Sequence, residues 1–247
     1  MDKEFDILAL ICVRGESKGI PNKNIRKFHG KPLLGWTIEV AKHSGEIDRV
    51  IVSTDSPKIA EVASKYGAEV PDLRPSHLAQ DDSDQFDTHA YVFDKLDLTD
   101  DNCRVFILVN NPYLSPDLIK KMSKKANDCN YERLVTTVIH TRHPFYFQFI
   151  GIDETAVPQF KDEYLKAPIN RQDREIVYFP FFLGCVGKPS MLRSWKAYKK
   201  EMARGFIPVV LNKKEAFDLD DEEDWQIAEV IFNAFHIQSG GKNENKV

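Results

Sequence analysis

The sequence predicts an α/β fold: a mostly parallel sheet with helices on both faces, interrupted once by an inserted arm. Three observations carry this. Continuous apolar runs such as "FDILALICV" and "CRVFILVN" read as strands buried on both faces. Between them lie helical stretches, several opened by proline and closed by glycine, and this alternation is that of a parallel sheet. The rhythm then breaks between residues 141 and 182, where aromatic residues and prolines crowd together.

The elements follow in order. Residues 5–13 are the first strand. Residues 32–44 place Leu33, Leu34, Trp36, Thr37, Val40 and Ala41 at helical spacing, with Pro32 suited to a first turn and Gly45 to an end. "DRVIVSTD" is a short β-branched strand. The helix after it has Ser56 as N-cap, Pro57 at its first position and Gly67 as its stop. Residues 85–96 read as a helix and "CRVFILVN" as a strand. "SPDLIKKMSKKAND" repeats the Ser-Pro helix start, and "RLVTTVIH" is the next strand.

The stretch 141–182 carries Phe145, Tyr146, Phe147, Phe149, Tyr164, Tyr178, Phe179, Phe181 and Phe182. Such aromatic density suits an arm that packs on a partner subunit; a flap on the same subunit is the alternative. From about residue 183 the α/β pattern resumes. "FIPVVLN" reads as a strand, and "EAFDLDDEEDWQIAEVIFNAF" as a charged turn and a final helix. Residues 237–247 are expected to form a disordered tail. The chain is thus expected to be one domain, 1–247, with an arm at 141–182.

Composition narrows the function classes. With 247 residues, 42% hydrophobic, the chain can bury a sizeable core. A formal net charge of −4 argues against a nucleic-acid coat or a membrane-surface protein. No apolar run is long enough to span a bilayer, and "MDKEFD" lacks a signal-peptide pattern. Cys12, Cys103, Cys129 and Cys185 are widely spaced, which disfavours a zinc site. Free thiols in a reducing, cytoplasmic compartment are expected.

Three stretches could carry chemistry. "RGESKGIPNKN" follows the first strand, where ligands bind in open α/β sheets. Gly15 and Gly19 allow close backbone approach, exposed N–H groups can cradle an anion, and Arg14, Lys18 and Lys23 supply positive charge. Asn24 can donate and accept. The spacing matches neither G-x-x-x-x-G-K-[ST] nor G-x-G-x-x-G; a plain solvated loop is the alternative. In "FDLDDEED", Asp218 and Asp220 are two apart, so on an extended strand end both face one side and could hold Mg²⁺ beside phosphates. The same letters also read as an acidic helix N-terminus. "LRPSHLAQDDSD" offers Arg74 and hydrogen-bonding groups to a base or phosphate, or is merely a polar loop. His140 and His143 lack further ligands for zinc, and no nucleophile elbow is present.

Taken in order, "VRGESKGIPNKN", "GKPLLGWTIE", "VSTD", "LRPSHLA" and "FDLDDEEDW" resemble the motifs of the CMP-sialic acid synthetases, or acylneuraminate cytidylyltransferases. The first is similar to the family's A-R-x-G-S-K-G-[IL]-x-x-K-N, with Val13 for alanine and Glu16 for glycine. The last is similar to I-D-I-D-x-x-x-D. The resemblance is dense over residues 6–83, patchy to 190, and returns at 217–231.

The resemblance implies a single nucleotidyltransferase domain with a Rossmann-like fold and an arm that dimerises and reaches the partner's site. It implies CMP transfer from CTP to an acidic 2-keto-3-deoxy sugar, releasing pyrophosphate. By position, Arg14, Gly15, Ser17 and Lys23 would hold the triphosphate, and Asn24 would contact the nucleotide. Arg74, Ala79 and Ser83 would recognise cytosine. Asp218 and Asp220 would bind Mg²⁺, the chemistry resting chiefly on Arg14, Lys23 and Asp218. Arg171 and Gln172 would lie near the sugar.

Four departures stand out. Leu108 and Leu114 occupy family glutamine and arginine positions, and Phe179 and Phe181 occupy arginine and asparagine positions. The nucleotide half is kept while the sugar half turns apolar, so an unusual acceptor is expected, more deoxygenated or N-acylated. A binding protein without catalysis, or a nucleotidyltransferase for another sugar acid or nucleotide, are the alternatives.

Overall fold

The computed structural model of the chain describes residues 5–141, 149–152, 155–168, 170–213 and 215–240. The elements, in chain order, are β1 (Asp6–Cys12), β2 (Lys27–Phe28), β3 (Lys31–Pro32), α1 (Leu33–His43), β4 (Arg49–Ser53), α2 (Pro57–Lys65), α3 (Gln85–Lys95), β5 (Cys103–Leu108), α4 (Pro116–Asp128) and β6 (Val135–Thr141). Then follow β7 (Phe149–Ile152), β8 (Thr155–Pro158), α5 (Lys161–Lys166), β9 (Val177–Gly187), α6 (Pro189–Leu192), α7 (Trp195–Arg204), β10 (Ile207–Val210) and α8 (Glu222–Gly240).

The main sheet has the order β10-β6-β9-β5-β1-β4. β1 pairs in parallel with β4 and β5, and β6 with β10; β9 alone runs antiparallel, between β5 and β6. The sheet is therefore mostly parallel, as expected.

Alternate residues of β1 feed opposite faces, which is why its run is apolar without a break. Ile7, Ala9 and Ile11 join a core with Leu34 and Ile38 of α1, Ile59 of α2 and Leu118 and Met122 of α4. Leu8 and Leu10 join the opposite core with Val92 and Phe93 of α3, Leu192 of α6 and Tyr198 of α7. Local stops behave as their residues dictate. Gly67 ends the turn after α2 at φ +81°, in the left-handed region. Ser115 caps α4 by accepting from Leu118 N at 3.1 Å. Ser56 occupies the corresponding place before α2, but its side chain accepts no capping bond.

Two expected boundaries shift. Pairing of β6 with β9 continues out to Thr141 opposite Val177, so residues 177–182 belong to a sheet strand and not to the arm. Phe179 stands opposite Ile139, and Phe181 packs on the core. The excursion itself holds the β7–β8 hairpin and the short α5. At the other end, α8 runs to Gly240, so residues 237–240 are helix where a tail was expected; helical bonds cost less than leaving that backbone extended once a helix is already nucleated. Residues 241–247, and His143 with Phe145, Tyr146 and Phe147, lie outside the described residues. No helix among the described residues is long and apolar enough to cross a membrane.

The topology places the site. From β1 the chain moves to one side, to β4, whereas from β5 it moves to the other, to β6. The carboxyl ends of β1 and β5 therefore flank a crevice at a switch point, the expected place for a ligand.

Candidate active site

The loop after β1 is held by backbone and buried amides. Gly15 N donates to Asp55 Oδ1 at 2.9 Å. Asn24 is 8% exposed and sits in a chain: Thr37 Oγ1 donates to Asn110 Oδ1 at 2.8 Å, Asn110 Nδ2 to Asn24 Oδ1 at 2.9 Å, and Asn24 Nδ2 to the Arg14 carbonyl at 2.9 Å. Both ends of the Asn24 amide are thus engaged within the protein. The side chain ties the loop to the strand end of β5, and a second amide N–H remains beyond these two bonds. The Arg14 and Lys18 side chains remain accessible, at 35% and 76% exposure. Glu16, the departure from the family motif, is exposed.

A third core cluster explains why the loop meets a segment 200 positions away. Ile20 of the loop and Leu219 are each 1% exposed, packed with Phe28, Leu33, Tyr113 and Trp225. Arg26 fixes the join from outside. Its guanidinium bonds both oxygens of Glu222, at 2.5 and 2.7 Å, and lies 4.4 Å from the centroid of the Trp225 ring.

Leu219 points inward, so Asp218 and Asp220 on either side of it are exposed together. They follow β10 in a connecting segment rather than on a strand, yet the alternation argued from the sequence holds there. The neighbouring carboxylates do something else. Asp224 Oδ2 accepts from Asp220 N and Asp221 N at 3.0 and 3.2 Å, while Asp221 Oδ1 accepts from Asp224 N at 2.9 Å. That reciprocal pair caps α8. The helix-terminus reading of "FDLDDEED" therefore holds for Asp221 and Asp224, while the side chains of Asp218 and Asp220 stand exposed outside that cap.

Lys23 joins loop and carboxylates. Its Nζ donates to the Leu219 carbonyl. Burial pulls its pKa below the ordinary lysine value, while the charges of Asp218, Asp220 and Asp224 oppose that shift. Gly19 makes the closest approach: a Cβ there would lie 1.7 Å from the Asp220 carbonyl oxygen.

Beyond the loop opens a cleft of about 330 Å³ lined by Arg14, Arg74, Ala79, Asp81, Ser83, Gln85, Thr88 and Cys12. Arg74, 8% exposed, donates through Nη1 to Thr88 Oγ1 at 3.3 Å and through Nη2 to the Val13 carbonyl at 3.2 Å. Its Nε is buried without a hydrogen-bond partner. Ser83 Oγ donates to the His77 carbonyl at 2.7 Å and accepts from Gln80 N at 3.1 Å, closing the turn that carries Ala79. Burial raises the Cys12 thiol to about 12, against the pull of Arg74, so it is protonated and no nucleophile. Asp81 spans the rim. Its carboxylate accepts from Arg14 Nη1 at 2.7 Å and meets Lys18 Nζ at 2.6 Å.

A second cavity, of about 520 Å³, adjoins the first and is lined mainly by Phe86, His89, Phe182, Trp195, Tyr198 and Met202. Trp195 stacks on Tyr198 with centroids 5.8 Å apart, and Phe86 lies 5.2 Å from Tyr198. Leu108 and Leu114, 2% and 4% exposed, belong to the core instead. The aromatic cavity is thus built from side chains other than the four departures, Leu108, Leu114, Phe179 and Phe181. Arg171 and Gln172 sit on a single turn, Arg171–Asp173, between α5 and β9. Sequence reading missed Asp81, Gln85 and the aromatic cavity. The first two lie in or beside "LRPSHLAQDDSD", but no local pattern separates a rim carboxylate from its neighbours.

The site thus combines a cationic loop, a paired carboxylate, a polar cleft with an unsatisfied guanidinium N–H and an aromatic cavity beside it. The family model for cytidylyltransferases matches residues 8–148. The pseudaminic acid cytidylyltransferase of Campylobacter jejuni is 27% identical over 93% of this chain and 97% of that protein. The CMP-N,N′-diacetyllegionaminic acid synthase of Legionella pneumophila is 40% identical over 46% of this chain and 50% of that protein. The structure of CMP:2-keto-3-deoxy-manno-octonic acid synthetase complexed with CTP covers 95% of this chain and 99% of its own, with a TM-score of 0.65 at 14% identity, a likeness of fold.

Proposed function

Because the chain belongs to the cytidylyltransferase family, we propose that it transfers CMP from CTP to the anomeric hydroxyl of a sialic-acid-like sugar acid bearing N-acyl groups. The observation that carries the acceptor class is the aromatic cavity beside the polar cleft. An acyl methyl gains by leaving water for such a cavity, whereas a fully hydroxylated chain would lose hydrogen bonds there. The N,N′-diacetyl product named for the Legionella relative supports the same reading.

In this reading the cleft holds the nucleotide, with Arg74 Nε and the Ala79 turn at the base. Arg14, Lys18, Ser17 and the backbone of Gly15 face the triphosphate. The sugar hydroxyl attacks the α-phosphorus, a new P–O bond forms, and the bond to the β-phosphate oxygen breaks to release pyrophosphate. Such transfers run on positioning and charge neutralisation. Lys23 and the loop cations oppose the charge gathering on the leaving group.

Asp218 and Asp220 fit Mg²⁺: two exposed carboxylates on one side, with phosphate oxygens and water to complete the shell. Among the described residues no group of three or more His, Cys, Asp or Glu could hold a metal by protein ligands alone. Bound there, Mg²⁺ would supply charge neutralisation at the phosphates.

We further propose a homodimer formed through the arm. Its motivation is the exposure of Leu165 and Ile176 in the arm, at 70% and 49%, continued by Tyr178 at the start of β9, at 51%. Arg171 and Gln172 would then serve the partner's acceptor site.

The test is a panel of acylated and non-acylated 2-keto-3-deoxy sugar acids with CTP and Mg²⁺, followed by pyrophosphate release. Turnover is expected with acylated acceptors. Tight CTP binding without turnover of any member would sink the proposal. Asp81 adds a sharper expectation. It neutralises two cations that the triphosphate needs, so Asp81→Asn is expected to tighten CTP binding about fivefold, read as Kd by calorimetry at low salt, with the gain shrinking as salt rises. Weaker binding would instead make the carboxylate an organiser of the loop. Glu16→Gly, on an exposed residue, is expected to change that Kd by less than about twofold.

A further inference from the structure

Among the described residues, Gln85 is the one shared by the linings of the polar cleft and the aromatic cavity. It opens α3 directly after Asp84, which fixes that helix end by accepting from Phe86 N at 2.9 Å. One turn on, at the i+4 position, stands His89, 1% exposed. The hydrogen bonds of this histidine set the orientation of Gln85. His89 Nδ1 lies 3.2 Å from the Leu192 carbonyl, which can only accept, so Nδ1 carries the proton. Burial lowers the His89 pKa to about 4, so the ring is neutral at physiological pH and Nε2 presents a lone pair. Gln85 Nε2, 3.4 Å away, is then the donor to it. With the amide nitrogen directed at His89, the amide oxygen is the end left for a ligand.

We propose that Gln85 is a specificity residue for the acceptor, standing at the junction of the two cavities with its side-chain carbonyl accepting a hydrogen bond from an acylamino N–H of the sugar, and that His89 is the positioning residue that orients it. The inference rests on the reading that the cleft takes CTP and the aromatic cavity takes the acceptor's acyl group. An acylamino group has two unlike ends, an apolar methyl and a polar N–H. A cavity lined by Phe86, Trp195 and Tyr198 with one carbonyl at its polar border matches both. A site that hydrogen-bonds a group discriminates against analogues lacking it far better than an apolar pocket discriminates by size.

The experiment is steady-state kinetics of wild type, Gln85→Leu and His89→Phe, varying CTP and acceptor separately, with an N-acylated sugar acid and its hydroxyl analogue. Gln85 is exposed, so its leucine variant is expected to fold; far-UV circular dichroism and the melting temperature check both variants. Gln85→Leu is expected to raise the acceptor KM about tenfold or more, leave the CTP KM within about twofold and narrow the preference for the acylated sugar. His89→Phe keeps an aromatic ring beside Phe86 and Phe93 and is expected to move the acceptor KM the same way by a smaller factor. An unchanged acceptor KM in Gln85→Leu, or an equal rise in the CTP KM, overturns the proposal. Absence of turnover by the wild type with every acylated acceptor overturns the underlying reading instead, so the two failures are distinct.

Discussion

Asp218→Asn is expected to lower kcat by about a hundredfold or more while leaving the melting temperature within a degree or two of wild type. The side chain is exposed, and its one internal hydrogen bond, from Leu219 N to Oδ1 at 2.9 Å, survives in the amide. What the substitution removes is charge, which a divalent cation and Lys23 both require. Asp221→Asn is the matched control. Asp221 accepts from Asp224 N within the α8 cap, so its loss is expected to cost at most about 1 kcal/mol of stability with turnover nearly unchanged. Urea unfolding and pyrophosphate release on the two variants separate the roles. Equal turnover in Asp218→Asn and wild type would remove Asp218 from the chemistry.

Gly19→Ala is expected to damage the site by geometry alone. Its Cβ would stand 1.7 Å from the Asp220 carbonyl oxygen and 2.9 Å from the carbonyl carbon, both backbone atoms that no rotamer change can clear. The loop and the carboxylate segment must part by an ångström or more. Misplacement of that size costs up to about a hundredfold in rate, and the strained join about 1–3 kcal/mol in stability. Measured kcat/KM for CTP and the urea midpoint should both fall. A variant with unaltered kcat/KM would show that the loop and the carboxylates need not touch.

Much of this was legible in the sequence because it is encoded at short range. Apolar runs without alternation marked β1 and β5, Ser115 and Pro116 marked the start of α4, and Gly67 marked the stop after α2. The basic, glycine-containing loop was recognisable by its chemistry and its place after the first strand. Arg14, Arg74, Ala79 and Ser83, predicted from motifs, line one cleft. Where reading failed, partners distant in sequence decided. The sequence marked Asn24 as a hydrogen-bonding residue of the loop but could not show its partners, Asn110 and the Arg14 carbonyl. The arm looked longer at both ends than it is, because Thr141 still belongs to β6 and β9 is itself aromatic, and composition does not show where their pairing begins.

The sequence by itself determined the α/β alternation, the loop and the residue types available to bind a nucleotide. These depend on local periodicity and turn chemistry, which a short window contains. Only the tertiary structure decided which of the carboxylates near residue 220 cap a helix and which stand exposed outside the cap. It also decided that Asp81 holds the loop cations and that Gln85 borders two cavities. Those assignments follow from burial of Ile20, Leu219 and Trp225 in one cluster and from α3 packing against α6 and α7. The free energy of such contacts comes from residues up to 200 positions apart, and no local pattern records it.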